Sequence, residues 1–322
     1  MTLTRMVRTL LLATGAISCW AAPTHAQFNG HNGLGDFGVL SGSQPEPGFY
    51  ALGFYYRYGT EQLRDGDGEE VGFETNDPGD LTINSFAPML WWVTDHKVLG
   101  ANYGALLVLP IANMGLEVPI LDRKSKTGTA LGDLYVQPVN LGWHRQRADF
   151  TAGLALFAPT GRYEADADDN VGLGMWTFEL NAGTSIFLDE ARSWHLATTA
   201  YYETHSEKKD SDAKVGDILT LEGGFGKSFM EGAASVGAAY FAQWKITDDE
   251  FGTDFNLPSA REIGKHRVFG FGPDVTLPLA TSEKLIALVN IRYLWETGAR
   301  TKTQGQVLAI TATFPIPSIP LI

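Results

Sequence analysis

Trp176-Thr177-Phe178-Glu179-Leu180-Asn181-Ala182-Gly183-Thr184-Ser185-Ile186-Phe187-Leu188 decides the fold. Trp176, Phe178, Leu180, Ala182, Ile186 and Leu188 fall on one phase and are mostly apolar. Thr177, Glu179, Asn181, Gly183 and Ser185 between them are small or polar. A period of two marks a strand with two unlike faces. Val236, Ala238, Tyr240, Ala242, Trp244 and Ile246 repeat it against Gly237, Ala239, Gln243 and Lys245. Leu285, Ala287, Val289, Ile291, Tyr293 and Trp295 repeat it against Asn290, Arg292 and Glu296, with the aromatic pair at one end as in an interfacial girdle.

Working outward from this segment gives about twelve such strands, each near the ~10 residues that a tilted membrane-spanning strand needs. They fall near 48–58, 81–94, 98–111, 131–143, 150–159, 175–188, 194–203, 216–229, 234–246, 267–279, 285–296 and 306–315. Their connections alternate in length. Those at 95–97, 144–149, 189–193, 230–233 and 280–284 are tight, and those at 59–80, 112–130, 160–174, 204–215, 247–266 and 297–305 are long. Short turns on one rim and long polar loops on the other predict an all-β transmembrane barrel of antiparallel strands in a bacterial outer membrane. A helical reading competes only over 98–116, which carries no charge and holds Gly100 and Gly104. Asn102, Pro110 and Asn113 interrupt it, and its alternation favours strand.

Composition agrees. Among 322 residues, 37 Asp and Glu outnumber 24 Lys and Arg, and a net charge of −13 excludes a nucleic-acid partner. A mean hydropathy just below zero excludes a bundle of membrane helices. Residues 1–26 read as a cleaved secretory signal: Arg5 and Arg8, an uncharged run from Leu10 to Ala22, then small residues up to Ala26. Lipid attachment at Cys19 is the alternative, although Ala16-Ile17-Ser18 lacks the usual preceding leucine. Cleavage removes both arginines and the single Cys, taking −13 to −15 and leaving no disulfide. Residues 27–47, rich in Gly, Asn and Ser, form an N-terminal extension, read as a flexible tail in preference to a lumen plug. The barrel domain spans 48–322.

Arg57, Asp133, Gln137, Glu179, Asn181, Glu203, Glu222, Gln243, Lys245, Asn290, Arg292 and Glu296 fall on polar strand phases and are the candidate lumen residues. So many charges must pair with one another or face water. Twelve strands predict a narrow lumen, between the filled barrels of about 8 strands and the open porins of about 16. Tyr55, Tyr135, Tyr201 and Phe241 are its candidate aromatics.

No motif requires a metal or cofactor. The acidic run Glu61, Asp65, Asp67, Glu69, Glu70, Glu74, Asp77 and Asp80 departs from a calcium loop, because the sixth and twelfth positions counted from Asp65 are Glu70 and Asn76. Glu164, Asp166, Asp168 and Asp169 form a second acidic cluster. Both read as solvated loops facing the cation-bridged lipopolysaccharide layer. His31, His96, His144, His195, His205 and His266 lie outside any G-x-S-x-G or H-E-x-x-H setting. His205 beside Glu203 is the one candidate pair for hydrolytic chemistry, and no catalytic residue is assigned.

Pro47-Gly48-Phe49-Tyr50, Leu131-Gly132-Asp133-Leu134-Tyr135-Val136-Gln137-Pro138, Gly142-Trp143-His144, Ala158-Pro159-Thr160-Gly161-Arg162-Tyr163 and the run holding Asn170, Gly172 and Trp176 resemble the family associated with the meta-cleavage pathway of phenol degradation. The resemblance covers essentially the whole chain after residue 26. It implies an outer-membrane channel or transporter for small hydrophobic or aromatic compounds and offers no catalytic residues to carry over. A closed structural or surface-interaction barrel is the second reading, and a barrel hydrolase the third. The implied partners are outer-membrane lipids, lipopolysaccharide and a small apolar or aromatic solute. One departure is the C-terminus, where Phe314 is followed by Pro315 to Ile322 instead of ending on an aromatic residue.

Overall fold

A computed structural model describes residues 28–70, 80–118, 123–165, 167, 170–251, 265–281 and 285–316. The expected signal at 1–26 with Cys19 lies outside the described residues, as do Glu74, Asp77, Asp166, Asp168 and Asp169 of the acidic loops. The strands are β1 (Gly48–Thr60), β2 (Leu63–Arg64), β3 (Asp80–Val98), β4 (Ala101–Val108), β5 (Ile111–Val118), β6 (Arg123–Lys126), β7 (Ala130–Leu131), β8 (Leu134–His144) and β9 (Ala148–Ala158). They continue with β10 (Thr177–Phe187), β11 (Trp194–His205), β12 (Ile218–Phe229), β13 (Ala234–Lys245), β14 (Arg267–Ala280), β15 (Leu285–Arg300), β16 (Lys302–Thr303) and β17 (Gln306–Ile316).

Consecutive spanning strands pair antiparallel around a 12-stranded barrel. β1 closes it, pairing with β17 from Phe49↔Ile316 to Gly59↔Gln306 and with β3 from Gly48↔Val93 to Thr60↔Leu81. Closure leaves no free edge, so every spanning strand finds its backbone partners inside the sheet.

Two boundaries differ from the sequence reading. β3 runs through Asp95-His96-Lys97, and the tight turn lies at Leu99 and Gly100, both with positive φ, 52° and 79°. Two left-handed residues give a hairpin turn whose twist matches its strands. The predicted loop 112–130 holds β5, β6 and β7. Pro110 breaks the third spanning strand into β4, which pairs with β8, and β5, which continues beside β3 and carries a short β5–β6 hairpin above. Among the described residues no helix is long and apolar enough to cross a membrane, and the uncharged stretch 98–116 is the turn at Leu99 and Gly100 followed by β4 and the first residues of β5.

The phase read from Trp176–Leu188 is the phase of the wall. Glu179, Asn181 and Ser185 are buried inward, whereas Phe178, Leu180 and Ile186 are exposed outward. Outward Leu154, Phe271 and Leu277 are likewise more than half exposed. An apolar exterior around a polar interior reverses the soluble arrangement and requires lipid outside. Trp92, Trp194 and Phe229 ring the short-turn end. Trp176, Phe271 and Trp295 ring the long-loop end, the two girdles of an outer-membrane barrel.

Candidate functional site: a threaded lumen

Residues 28–47 lie inside the barrel and not in a tail. Their partners descend from the long-loop rim to the short-turn rim in sequence order. Lys245, the last residue of β13, donates to Phe28 O at 2.8 Å and pairs with Asp249 at 2.7 Å. His31 N–H and Asn32 N–H donate to Glu203 Oε1 at 2.8 and 3.2 Å. Lower down, Gly35 N–H and Phe37 N–H donate to the two oxygens of Glu222 at 2.7 and 2.9 Å. Arg292 of β15 reaches Gly35 O while its Nε holds Asp274 at 2.8 Å. Near the short-turn rim, Val39 O meets His195 Nδ1 at 2.9 Å, Ser43 donates to Asp149 at 2.9 Å, and Gln44 Nε2 donates to Asn140 Oδ1 at 2.7 Å. The thread then enters β1.

The physical need is plain. An irregular segment cannot satisfy its own backbone, and at membrane depth each orphaned N–H or C=O is costly. Wall carboxylates therefore take its N–H groups and wall cations its carbonyls, with charged bonds stronger than neutral ones. The approach is close enough to select glycine. A Cβ at Gly38 would collide with Asp274, and one at Gly42 with the Thr184 backbone.

His31 anchors the outer end. Its Nδ1 lies 2.7 Å from Thr177 Oγ1 and its Nε2 2.9 Å from Asp133 Oδ2, and its ring stacks on Phe157 at 4.6 Å. Asp133 also accepts Gly161 N–H at 2.9 Å and Leu173 N–H at 2.7 Å, which ties the Ala-Pro-Thr-Gly block to the thread. Hydroxyl, imidazole and carboxylate stand in triad order, yet Thr177 has 0% exposure. With no room for a substrate at the hydroxyl, this chain is a fastening. Two lysines complete the mouth, Lys208 buried and Lys302 half-buried. Lys208 donates to Leu173 O at 2.7 Å and Lys302 to Gln243 at 2.8 Å. Burial pushes each ammonium down to about 8, against the opposing pull of Asp133 on Lys208 and of Glu296 on Lys302.

Of the sequence candidates, the structure brings Gln137, Glu179, Asn181, Glu203, Glu222, Gln243, Lys245, Asn290, Arg292 and Glu296 onto the inward phase. Asp133 also points in, from the connection between β7 and β8 instead of from a strand. Glu179 accepts Asn181 at 2.8 Å and Tyr135 at 3.2 Å; Asn181 in turn accepts from Gln137 at 3.4 Å. Asn290 donates to Asp274 at 2.8 Å, and Glu296 accepts Tyr58 at 3.0 Å. Tyr135, Tyr201 and Phe241 are inward.

Arg57 and Tyr55 are not. Tyr56 and Tyr58 share the inward phase of β1 with Val307 and Ala309 opposite, so Arg57 stands exposed on the outer surface. Aromatics on both phases of Phe54-Tyr55-Tyr56-Arg57-Tyr58 hide the alternation there. Glu203 serves the thread, so the Glu203–His205 pair does not combine as hydrolytic chemistry would need. Asp65 Oδ1 accepts the N–H groups of Asp67 and Glu69, each at 2.9 Å, closing a loop turn. Sequence reasoning missed His31, Asp149, His195 and Asp274. Asp274 alone had a readable signal, being the one carboxylate inside its predicted strand.

The lumen wall is two-sided. β8 to β13 supply most of the polar side described above, joined by Asp274 of β14 and Asn290, Arg292 and Glu296 of β15. Phe54 and Tyr58 of β1, Leu294 of β15 and Val307 of β17 form an apolar side with Tyr56, Ile83, Met89 and Val108 packed against it, and Leu34 of the thread joins that cluster. Between the sides the thread presents Phe37, stacked on Tyr201 at 5.8 Å yet 38% exposed, and Leu40, 36% exposed.

Comparison with solved structures finds an outer membrane channel from Pseudomonas putida F1 with a TM-score of 0.72 and 14% identity, covering 89% of this chain and 100% of that one. The β domain of the Bordetella autotransporter BrkA gives 0.48 and 12%, covering 84% and 100%. The CymD monoaromatic hydrocarbon channel gives 0.41 and 9%, covering 92% and 97%. The first supports the fold; the other two are too distant to carry argument. Comparison with curated protein sequences finds no match. A family model matches residues 60–312, from the end of β1 through most of β17. The span includes Asp133, Glu203, Glu222 and Arg292, the wall groups that hold the thread, and the chain belongs to the family of the MetA-pathway of phenol degradation.

Proposed function

We propose that the protein is an outer-membrane channel for small apolar or aromatic compounds, and that solute passes between the thread and the apolar side of the lumen. The observation that carries this reading is the division of the lumen. Most of the thread's polar bonds go to β8 to β13, with Arg292 of β15 taking Gly35 O, while Phe37 and Leu40 stay exposed and Tyr56, Ile83, Met89 and Val108 line β1, β3 and β4. A flat apolar molecule there exchanges water for aromatic and aliphatic surface without stripping any charge. A hydrated ion gains nothing from that apolar side.

The test is uptake of neutral aromatics such as phenol and toluene by cells with and without the gene, beside planar-bilayer conductance of the full-length protein. Small conductance with a clear uptake defect for neutral aromatics is expected. The number of charged bonds on the thread favours the second reading, a closed structural barrel, and that reading prevails if deletion leaves uptake unchanged and Phe37→Ala with Leu40→Ala alters neither measurement.

A further inference from the structure

The outer face of β1, β3, β4 and β5 changes character at one height. Paired residues give its rows directly. From the short-turn end, Phe49 lies beside Trp92, Ala51 beside Leu90 and Leu107, and Tyr55 beside Phe86 and Ile111. The next row is Arg57, Asn84 and Asn113, and above it stand Gly59, Thr82, Gly115 and Lys126. Arg57 and Lys126 are exposed. Tyr55 donates to Asn84 at 3.3 Å and Asn84 to Asn113 at 3.3 Å, a polar ladder across three strands. A Cβ at Gly59 or Gly115 would meet nothing within 4 Å, so the floor between the two cations is open.

Height fixes what this step meets. Arg57 is eight residues above the girdle residue Phe49. At roughly 3.3 Å per residue and a tilt of about 40°, that is about 20 Å. Lys126's row comes close to the ~25 Å height of the apolar belt. The row therefore sits where acyl chains give way to headgroups, on the long-loop side, which faces outward when the short turns are periplasmic. Three strand spacings of ~4.8 Å and a two-residue offset set Arg57 and Lys126 about 16 Å apart, and both side chains can lay their stems on apolar surface while the heads lean over the shared floor.

We propose that this step binds a phosphate of the lipid A portion of lipopolysaccharide. Arg57 supplies a planar fork for two phosphate oxygens, Lys126 a second charge, and the Asn84 and Asn113 amides neutral donors. The glycolipid is favoured over a phospholipid because the site lies at the outward rim, and because the donors span three strands where a single small headgroup would cover less. The inference rests on the barrel and its orientation and is independent of what passes through the lumen.

The experiment incubates full-length protein with lipid A bisphosphate, dephosphorylated lipid A or phosphatidylglycerol in detergent and reads bound lipid by native mass spectrometry. Retention of the bisphosphate should exceed that of the dephosphorylated form by about tenfold and fall by about tenfold in Arg57→Gln combined with Lys126→Gln. Arg57→Lys should keep part of it. Unboiled gel mobility reports whether each variant is folded, and if the double variant fails there, the single Lys126→Gln carries the comparison. Equal retention of the two lipid A forms, no loss in the folded variants, or phosphatidylglycerol bound at least as tightly would overturn the proposal.

Discussion

Asn181 in β10 and Phe37 in the thread lie inside the same barrel and keep their backbones from water by different means. The wall residue pairs with Gly153 on one side and Tyr201 on the other, through ladders that any non-proline sequence can form. Phe37 N–H has one partner, a carboxylate oxygen of Glu222 at 2.9 Å. A ladder spreads its energy over many bonds. The thread hangs on a handful of charged side chains, so one substitution that the wall would scarcely register can free it. Elements that must move come from the weakly held end of a structure, which makes the thread the part of this barrel suited to change position while the wall stays closed.

The largest break should come from Glu222→Ala. It orphans Gly35 and Phe37 N–H together, and bonds to a charged group contribute about 1.5 to 3 kcal/mol each. Conductance should rise several-fold in planar bilayers, and the N-terminal segment should become protease-sensitive, while unboiled gel mobility stays that of a closed barrel. Unchanged conductance and protection would mean that other contacts hold the thread without Glu222.

Next in size is a pair of arginines. Leu180→Arg puts a charge on the lipid face near mid-depth and should cost about 2 to 4 kcal/mol of folding stability in bilayers. On inward phase alone, Gly237→Arg looks harmless. A side chain there meets Val39 and the Phe225 backbone, so Gly237→Arg should displace the thread and raise conductance with a smaller loss of wall stability. Equal urea midpoints for the two variants would mean that the inner and outer faces are wrongly assigned.

What the sequence revealed follows the same division. The wall was legible because its polarity is set by surroundings that alternate every residue, oil and then lumen, over stretches as long as Trp176–Leu188. Phase failed on β1, where aromatics at Phe54, Tyr55, Tyr56 and Tyr58 occupy both faces and Arg57 stands where the lipid ends. It failed again beyond Pro110, since β5 and β6 rise above the belt, where no bilayer enforces alternation. The thread left almost no local signal. His31 and Glu203 are 172 residues apart, and a Gly-rich segment that borrows its partners from seven wall strands reads like any flexible tail. Its glycines were visible, but the close approaches that require them at Gly38 and Gly42 were not.

A smaller effect concerns the mouth. Lys208 and Lys302 are held down to about 8 from an ordinary 10.5. Between those values the unfolded chain binds more protons than the folded one, so stability rises with pH across that window and the burial cost is largest below pH 8. The transition temperature read by heat-dependent gel shift should rise by about 2 to 4 °C between pH 8 and 10 in the wild type. Lys208→Met with Lys302→Met should flatten the rise. A variant with the same slope would assign the effect to other groups.

The smallest expected effect sharpens the comparison most, because it sets one arginine against another on the same outer surface. Arg57 is exposed to the membrane as Arg at position 180 would be, yet it lies at the edge of the belt, where an arginine costs about 0 to 1 kcal/mol instead of about 2 to 4. Arg57→Leu, refolded into phospholipid vesicles that contain no glycolipid, should therefore change the urea midpoint by less than about 1 kcal/mol equivalent, within the ordinary range of surface substitutions. Depth alone accounts for that difference, since the residue type and the face are the same. If Arg57→Leu instead costs several kcal/mol in such vesicles, Arg57 is part of what holds β1 between β3 and β17, and its exposure at the belt edge is a structural requirement of the wall and not a surface offered to lipid.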